Sequence, residues 1–457
     1  MTRYYCVHGH FYQPPRENPW LEALDPDPSA YPYPNWNERI TAECYRPNIA
    51  ARILDDAGFI DRIVNNYARM SFNMGPTLLA WMEQAAPDVY RAIVDADRDS
   101  AARFGGHGSA MAQVYNHMIM PLADARDRRT QVRWGVRDFE RRFGRAPAGM
   151  WLSETAVDLD SLVELADAGI EFTVLAPHQA RRVRRMGGPW QEVPGASIDP
   201  GRVYRAVLPG GRSIDLFFYD GPAARAVAFE RLLASGVGFA NRLLAGGGAE
   251  PRLHHIATDG ESYGHHHRFG EMALAYAVRH IDDHRLATAT NYAQFRELHP
   301  AEWEVEIAED TSWSCAHGVE RWRSDCGCNA GHAGWNQKWR GPLRDALDWL
   351  RDQAVALFER HGAALFPDPW AARDAYIDVV LDRTDATVDA FLAAHAPAAA
   401  DRTARRRALE LLEMQRNAML MYTSCGWFFD DVSGIEAAQI LSFAARCVDL
   451  ADRHAEQ

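Results

Sequence analysis

Two acidic residues stand at positions suited to chemistry at carbon. Glu154 ends the segment Gly149-Met150-Trp151-Leu152-Ser153-Glu154, directly after an apolar run. Asp259 follows the apolar run from Leu253 to Ala257, in Thr258-Asp259-Gly260-Glu261. Carboxylates at the ends of two different strands allow one to attack carbon while the other moves protons. Each is equally readable as a helix N-cap, because Ser, Asp and Glu often begin helices. The surrounding pattern describes a site. His8 and His10 follow the apolar run from Tyr4 to Val7, Asn73 follows Ser71-Phe72, and Glu261 accompanies Asp259. In α/β folds with parallel strands, reactive side chains sit at the carboxyl ends of strands. Here several strand ends carry polar groups together.

Two further groups have chemistry of their own. The chain has 14 tryptophans, and Trp20, Trp36, Trp151, Trp313, Trp322, Trp335 and Trp427 lie in or beside loops rich in Gly, Asn, Asp and His. Aromatic faces stack on the apolar C–H faces of sugars, and polar neighbours bind hydroxyls; core packing is the alternative use of a large aromatic ring. Cys315-Ala316-His317, Cys326-Gly327-Cys328 and His332 bring thiols and imidazoles close enough in sequence to hold zinc. The Cys-x-Cys spacing is tighter than the usual one, which favours reduced cysteines packed in a loop. His265-His266-His267 cannot all reach one metal and read as a solvated loop beside the site.

These groups need elements to hold them. Through residue 295, short apolar runs alternate with longer amphipathic stretches. The runs 4–7, 70–73, 150–152, 172–175, 214–219 and 253–257 read as strands, and 49–57, 123–143, 159–168, 223–244 and 271–280 as helices. Strands separated by helices predict βαβ units and a parallel sheet. Residues 201–218, turning at Pro209-Gly210-Gly211, are expected to form a β-hairpin. The stretch from Glu302 to Trp339 is loop-like and holds five tryptophans and three cysteines, and from Pro342 onward the pattern is helical. The expected organisation is an α/β catalytic domain over 1–295, an active-site loop region over 296–341 and a helical bundle over 342–457.

Composition narrows the function. A chain of 457 residues with 47% hydrophobic and 24% charged residues is neither disordered nor of low complexity. With 62 acidic and 49 basic residues its net charge is −13, which argues against nucleic acid or an anionic membrane as the main partner. Lys338 is the sole lysine and precedes Trp339, so there is no Gly-Lys-Ser/Thr phosphate loop, and a Schiff base would have one position to use. Seven cysteines, few and odd in number, suggest a reduced compartment. The first residues, Met1-Thr2-Arg3 onward, leave no room for a signal peptide before His8, and no run of apolar residues is long enough to span a bilayer. The expectation is a cytoplasmic protein.

The motifs resemble those of glycoside hydrolase family 57, retaining enzymes acting mostly on α-glucans. The family's opening His-x-His-Gln-Pro is similar to His8-Gly9-His10-Phe11-Tyr12-Gln13-Pro14, with two residues inserted. Its second motif resembles His117-Met118-Ile119-Met120-Pro121, with Ser109 where a Glu is usual. The third resembles Gly149 to Glu154 and implies that Glu154 is the nucleophile. The fourth, Asp-Gly-Glu-x-x-Gly, resembles Asp259 to Gly264 and implies that Asp259 is the acid/base. The fifth, often Ser-Asp-Trp, is nearest to Ser424-Cys425-Gly426-Trp427, with Gly426 in the Asp position and Asp430 and Asp431 downstream.

The fold implied by this resemblance is a (β/α)7 barrel followed by a helical bundle. The reaction implied is double displacement through a covalent glycosyl-enzyme, by a hydrolase, a 4-α-glucanotransferase or a branching-type enzyme. Catalytic residues are then Glu154 and Asp259. His8, His10, Gln13, Asn73, His117, Trp151, Glu261, Trp313, His317, Asp325 and Trp427 are expected to bind an oligo- or polysaccharide, without cofactor or catalytic metal. The alternatives are a deacetylase-type hydrolase using His8, His10 and Asp259 around a divalent metal, and a non-catalytic glycan-binding protein on the same scaffold.

Overall fold

In the computed structural model, which describes residues 3–247, 251–329 and 331–455, seven parallel strands run between Arg3 and Asp259. They are β1 (Arg3–Phe11), β2 (Ser71–Met74), β3 (Ala110–Gln113), β4 (Met150–Trp151), β5 (Phe172–Leu175), β6 (Ser213–Phe218) and β7 (Arg252–Asp259). The expected terminal residues Met1, Thr2 and Gln457 lie outside the described residues. β1 is buried from Tyr5 to Phe11, as a strand covered on both faces must be, and pairs with β7 on one side and β2 on the other. β2 pairs with β3 and β3 with β4. A parallel bridge from Gly149 to Phe172 leads to β5, which pairs with β6. The Asp220 N–H donates to the His255 carbonyl at 2.9 Å, bringing β6 round to β7. The protein thus has the (β/α)7 barrel-like fold expected for it.

Helices return the chain between strands. Pro76–Ala85 and Pro87–Arg103 link β2 to β3, Ala125–Phe143 links β3 to β4, and Leu159–Asp167 links β4 to β5. The helix before β4 is marked at both ends. Asp124 caps Ala125–Phe143 by accepting from the Asp127 N–H, and Gly144 ends it in the left-handed region at φ 69°. Two readings of periodicity differ from the structure. Residues 49–57 are not a helix: Ala51–Leu54 and Ile60–Val64 form a hairpin, because alternate burial of Ala51 and Ile53 fits a strand and Asp55 to Gly58 make the turn. The stretch 223–244 breaks into Gly221–Phe229 and Gly236–Leu243, the second capped by Ser235. The expected hairpin of Tyr204–Val207 with Ser213–Phe218 is present, paired Tyr204 to Leu216.

Helices dominate after Arg340. Arg340–Gly362, Arg402–Leu420 and Ile435–Ala455 pack against one another. Two apolar cores result. One spans β1 to Ile307; the other joins Cys315 to Leu450 with Tyr115, Trp134 and Ala156 from the barrel side. Buried polar pairs tie the two together: Arg373 donates to Asp127 at 2.7 Å and to Thr130 at 2.9 Å. Among the described residues no helix is long and apolar enough to cross a membrane.

Candidate active site

The carboxyl ends of β1, β4, β6 and β7 open onto one cavity of about 1150 Å³. Glu154 and Asp259 both line it, with His10, Gln13, Glu261, Trp36, Tyr219, Trp313 and Ser314. Two motif glycines explain how the acids reach this place. A Cβ on Gly149 would lie 2.4 Å from the Phe172 ring, and one on Gly260 would lie 2.3 Å from the Phe11 ring, so each strand end can pack only without a side chain there. Glu154 itself sits at φ 57°, a left-handed conformation costly for a residue with a side chain and often found at functional positions.

The two acids have different surroundings. One oxygen of Glu154 accepts from the Trp313 indole N–H at 2.8 Å and from the Ser314 hydroxyl at 2.6 Å, and the Trp313 backbone N–H donates to the Glu154 carbonyl at 3.0 Å. Burial pushes the Glu154 carboxyl up, opposed by Ser314, Trp313 and the charge of Arg321. Asp259 opens to the cavity, and among the described residues no hydrogen-bond donor reaches its carboxylate. Enclosure by protein and then the charge of Glu154 push it up to about 7. Glu261 is buried; it accepts from the Tyr45 hydroxyl at 2.6 Å and the Tyr12 N–H at 3.0 Å, yet burial still raises it to about 8.

Behind the cavity lies a stack of rings. His8 and His10 lie against Trp151 at 4.8 and 5.0 Å between centroids, and His10 stacks on His117 at 5.0 Å. The hydrogen bonds here have a direction. Asn73 donates through its amide nitrogen to Gln113 at 2.7 Å and to His10 Nδ1 at 2.9 Å. The His10 proton is therefore on Nε2, 3.1 Å from His117 Nε2, and the His117 proton is on Nδ1, 2.5 Å from the Ser424 hydroxyl. Burial lowers His8 and His10 to about 3 and holds His117 well below its usual value, so the stack is neutral.

Of the expected sugar-binding residues, His10, Gln13, Glu261 and Trp313 face the cavity. His8, Asn73, His117 and Trp151 are buried behind it, where they orient His10 rather than line the wall. Trp427 is a core residue, its indole N–H donating to the Met421 carbonyl. His317 and Asp325 do not join the wall. The chain turns at Gly318, φ 81°, and His317 faces the thiol of Cys328 at 3.5 Å, while Asp325 is exposed. The two histidines of the metal triad in the alternative reading have their ring nitrogens taken: both nitrogens of His8 engage Ser71 and Asn73, and both of His10 engage Asn73 and His117.

Other wall residues are ones the sequence does not single out, although Tyr12 and Cys425 stand inside motif segments. Tyr12, Arg16, His178, Tyr219, Ser314, Arg321 and Cys425 belong to the lining, as do the exposed rings of Phe229 and Phe429 at its edge. The departure from the family pattern at Gly426 has a steric ground. A Cβ on Gly426 would lie 2.3 Å from Ile440 Cγ2, so no carboxylate fits there. Ser109 is buried beside Asn291, away from the lining, and the polar residue ending β3 is Gln113.

The chain matches the family model described as Glycosyl hydrolase family 57 over residues 38–307, and a model described as a domain of unknown function (DUF3536) over residues 335–457. No curated protein matches it by sequence. Among solved structures, an exo-type maltose-forming amylase from Pyrococcus sp. ST04 superposes with a TM-score of 0.77 at 15% identity, covering 100% of this chain and 81% of that one. A GH57-type branching enzyme from Pyrococcus horikoshii gives a TM-score of 0.60 at 14% identity, covering 98% and 88%. A 4-alpha-glucanotransferase from Thermococcus litoralis gives 0.58 at 14% identity, covering 99% of this chain and 60% of the other. Likeness at such identities carries the fold.

Proposed function

This chain belongs to glycosyl hydrolase family 57, and from that premise we propose that it cleaves or transfers α-glucan chains with retention of anomeric configuration. Glu154 is the nucleophile in this reading and Asp259 the acid/base. Protonated Asp259 gives its proton to the glycosidic oxygen as the Glu154 carboxylate attacks the anomeric carbon; the C–O bond breaks and a glycosyl-enzyme ester forms. Asp259, now ionised, takes a proton from water or from a sugar hydroxyl, whose oxygen displaces Glu154. One observation carries the reading: two carboxyls face one cavity, one held by two hydrogen-bond donors and the other raised to about 7. Separated ionisation of that kind is what an acid and a nucleophile need near neutrality.

The cavity suits an extended sugar chain. Glu261 offers a carboxyl oxygen to hydroxyls, and Trp313, Phe229 and Phe429 offer faces for the rings. The division into a catalytic region over 1–295, an active-site loop over 296–341 and a helical region over 342–457 belongs to the same proposal. It is supported by Trp313, Ser314 and Arg321 from the loop and Cys425, Phe428 and Phe429 from the helices meeting at the cavity. A cytoplasmic location, among cytoplasmic α-glucans, completes it.

Incubating the protein with α-glucans, and following reducing ends and chain lengths, tests the activity. Trapping with a fluorinated α-glucosyl substrate tests the chemistry: a labelled Glu154 peptide is expected in mass spectra. A product of inverted configuration, or a label on another residue, overturns the assignment.

A further inference from the structure

Four side chains on one side of the active-site loop converge on a point. Cys315 Sγ lies 4.0 Å from Cys326 Sγ and 3.8 Å from Cys328 Sγ, and Cys328 Sγ lies 3.5 Å from His317 Nδ1. All four ligand atoms lie within 4.8 Å of one another. A disulfide needs sulfurs at about 2.05 Å, so these are separate thiols. A tetrahedral zinc with Zn–S of about 2.3 Å and Zn–N of about 2.0 Å sets its ligands about 3.8 Å apart for two sulfurs and about 3.5 Å for sulfur and nitrogen. Three of the six edges, at 3.8, 4.0 and 3.5 Å, lie close to these values.

We propose that Cys315, His317, Cys326 and Cys328 form a structural zinc site. The tight Cys-x-Cys spacing is made workable by Gly327, whose φ of 83° turns the chain so that both flanking thiols face inward. The guanidinium of Arg340 faces Cys326 and Cys315 and offsets the net negative charge of three thiolates around a dication. Three sulfurs and one imidazole in a closed tetrahedron suit zinc and leave no position for substrate. His332 lies tilted against the Trp335 ring at 4.5 Å, outside this cluster.

The site is placed to act on the catalytic carboxylate from a distance. Cys315 follows directly on Trp313 and Ser314, the two donors to Glu154, and the Ser312 hydroxyl donates to the Gly318 carbonyl at 2.7 Å, closing the segment on itself. Zinc therefore anchors the clamp on Glu154. This consequence rests on the reading of Glu154 as nucleophile; the metal site does not.

Elemental analysis of protein purified without chelator is expected to find about one zinc per chain. Cys326→Ser and Cys328→Ser should each remove it, and His317→Cys, which keeps four ligands, should retain it. Replacement of the metal by Co(II) in the otherwise unaltered protein should give the intense visible bands of tetrahedral thiolate-bound cobalt, changed in position in His317→Cys. Absence of metal together with no uptake of zinc or cobalt by the reduced, folded protein overturns the proposal, as does metal that remains in both serine variants. Zinc-free protein that keeps its secondary structure should lose about as much activity as Ser314→Ala. Full activity without zinc would sever the link to Glu154 while leaving the site in place.

Discussion

Glu154 and Asp259 carry the same functional group at the ends of strands in one barrel, and they differ in what the rest of the chain lays against them. β4 brings Glu154 under the post-barrel loop, where an indole and a hydroxyl donate to one of its oxygens. β7 ends at Asp259 with no donor from the described residues, and Glu261 with its own raised pKa stands two residues on. Both carboxyls are pushed up by enclosure, but only Glu154 has groups that oppose the push. Glu154 ionises first, and its charge then keeps the proton on Asp259. The barrel supplies position, and a loop outside it supplies the difference in acidity.

Removing Glu154's carboxylate should have the largest effect. Glu154→Gln keeps the shape and both donors but cannot form the ester, so kcat/KM on an α-glucan should fall roughly 10⁴- to 10⁶-fold, as loss of a nucleophile does elsewhere. Retained activity in that variant would break the comparison at its stronger arm. Asp259→Asn should cost less, about 10²- to 10⁴-fold, the usual weight of acid–base assistance. Much of that loss should vanish with a substrate whose leaving group needs no proton. The same substitution has a stability signature. A carboxyl whose folded pKa is raised favours the fold while it is neutral and loses that contribution as pH climbs toward about 7. Thermal melts should therefore show Asp259→Asn gaining on the parent protein as pH rises, and no difference between pH 5 and 8 would remove the enclosure argument.

What the sequence made legible and what it hid follow from the range of the interactions. Strand ends with Glu154 and Asp259 are readable because the signal is local: each acid closes or directly follows an apolar run of its own strand, Met150–Trp151 or Arg252–Asp259. The hairpin at Pro209 to Gly211 is similarly local. The ring stack was half legible. His8, His10 and His117 stand out as histidines, but that His8 and His10 pile on Trp151 and His117 on His10 depends on strands brought together from distant parts of the chain, and the Ser424 contact to His117 spans 307 residues. Ser314 gives no signal beside Trp313 because a loop serine has no pattern of its own. His317 was expected in the wall for its polarity, and the turn at Gly318 sends it to the thiols.

Ser314 offers the finer test of the difference between the acids. Ser314→Ala deletes one of two donors to Glu154 and leaves the rest of the cavity untouched. A hydrogen bond to a charged group contributes about 1.5–3 kcal/mol, so a rate loss of about 10- to 100-fold is expected. Trp313→Phe should cost a similar amount while keeping the aromatic face, and a separate measurement of KM should show little change in either variant. A rise in KM with kcat unaltered would mean that these side chains bind sugar and do not hold the nucleophile.

The smallest expected effect is a shift in one limb of the pH profile. Productive enzyme has Glu154 ionised and Asp259 protonated, so kcat/KM should trace a bell. Its basic limb should lie near 7, where Asp259 loses its proton and activity falls. Its acid limb belongs to Glu154, held down by Ser314, Trp313 and Arg321 against burial. Deleting the Ser314 hydroxyl removes one of those downward influences, so the acid limb should move up toward neutrality and the bell should narrow from that side. The basic limb should stay near its place, because Asp259 has no contact with Ser314 and still meets the charge of Glu154 above the acid limb. Macroscopic values belong to the pair, and a small companion movement of the basic limb is compatible with the assignment. Movement of the basic limb alone would reverse it: Ser314 and Trp313 would then be holding the group that donates the proton, and Glu154 would be the acid.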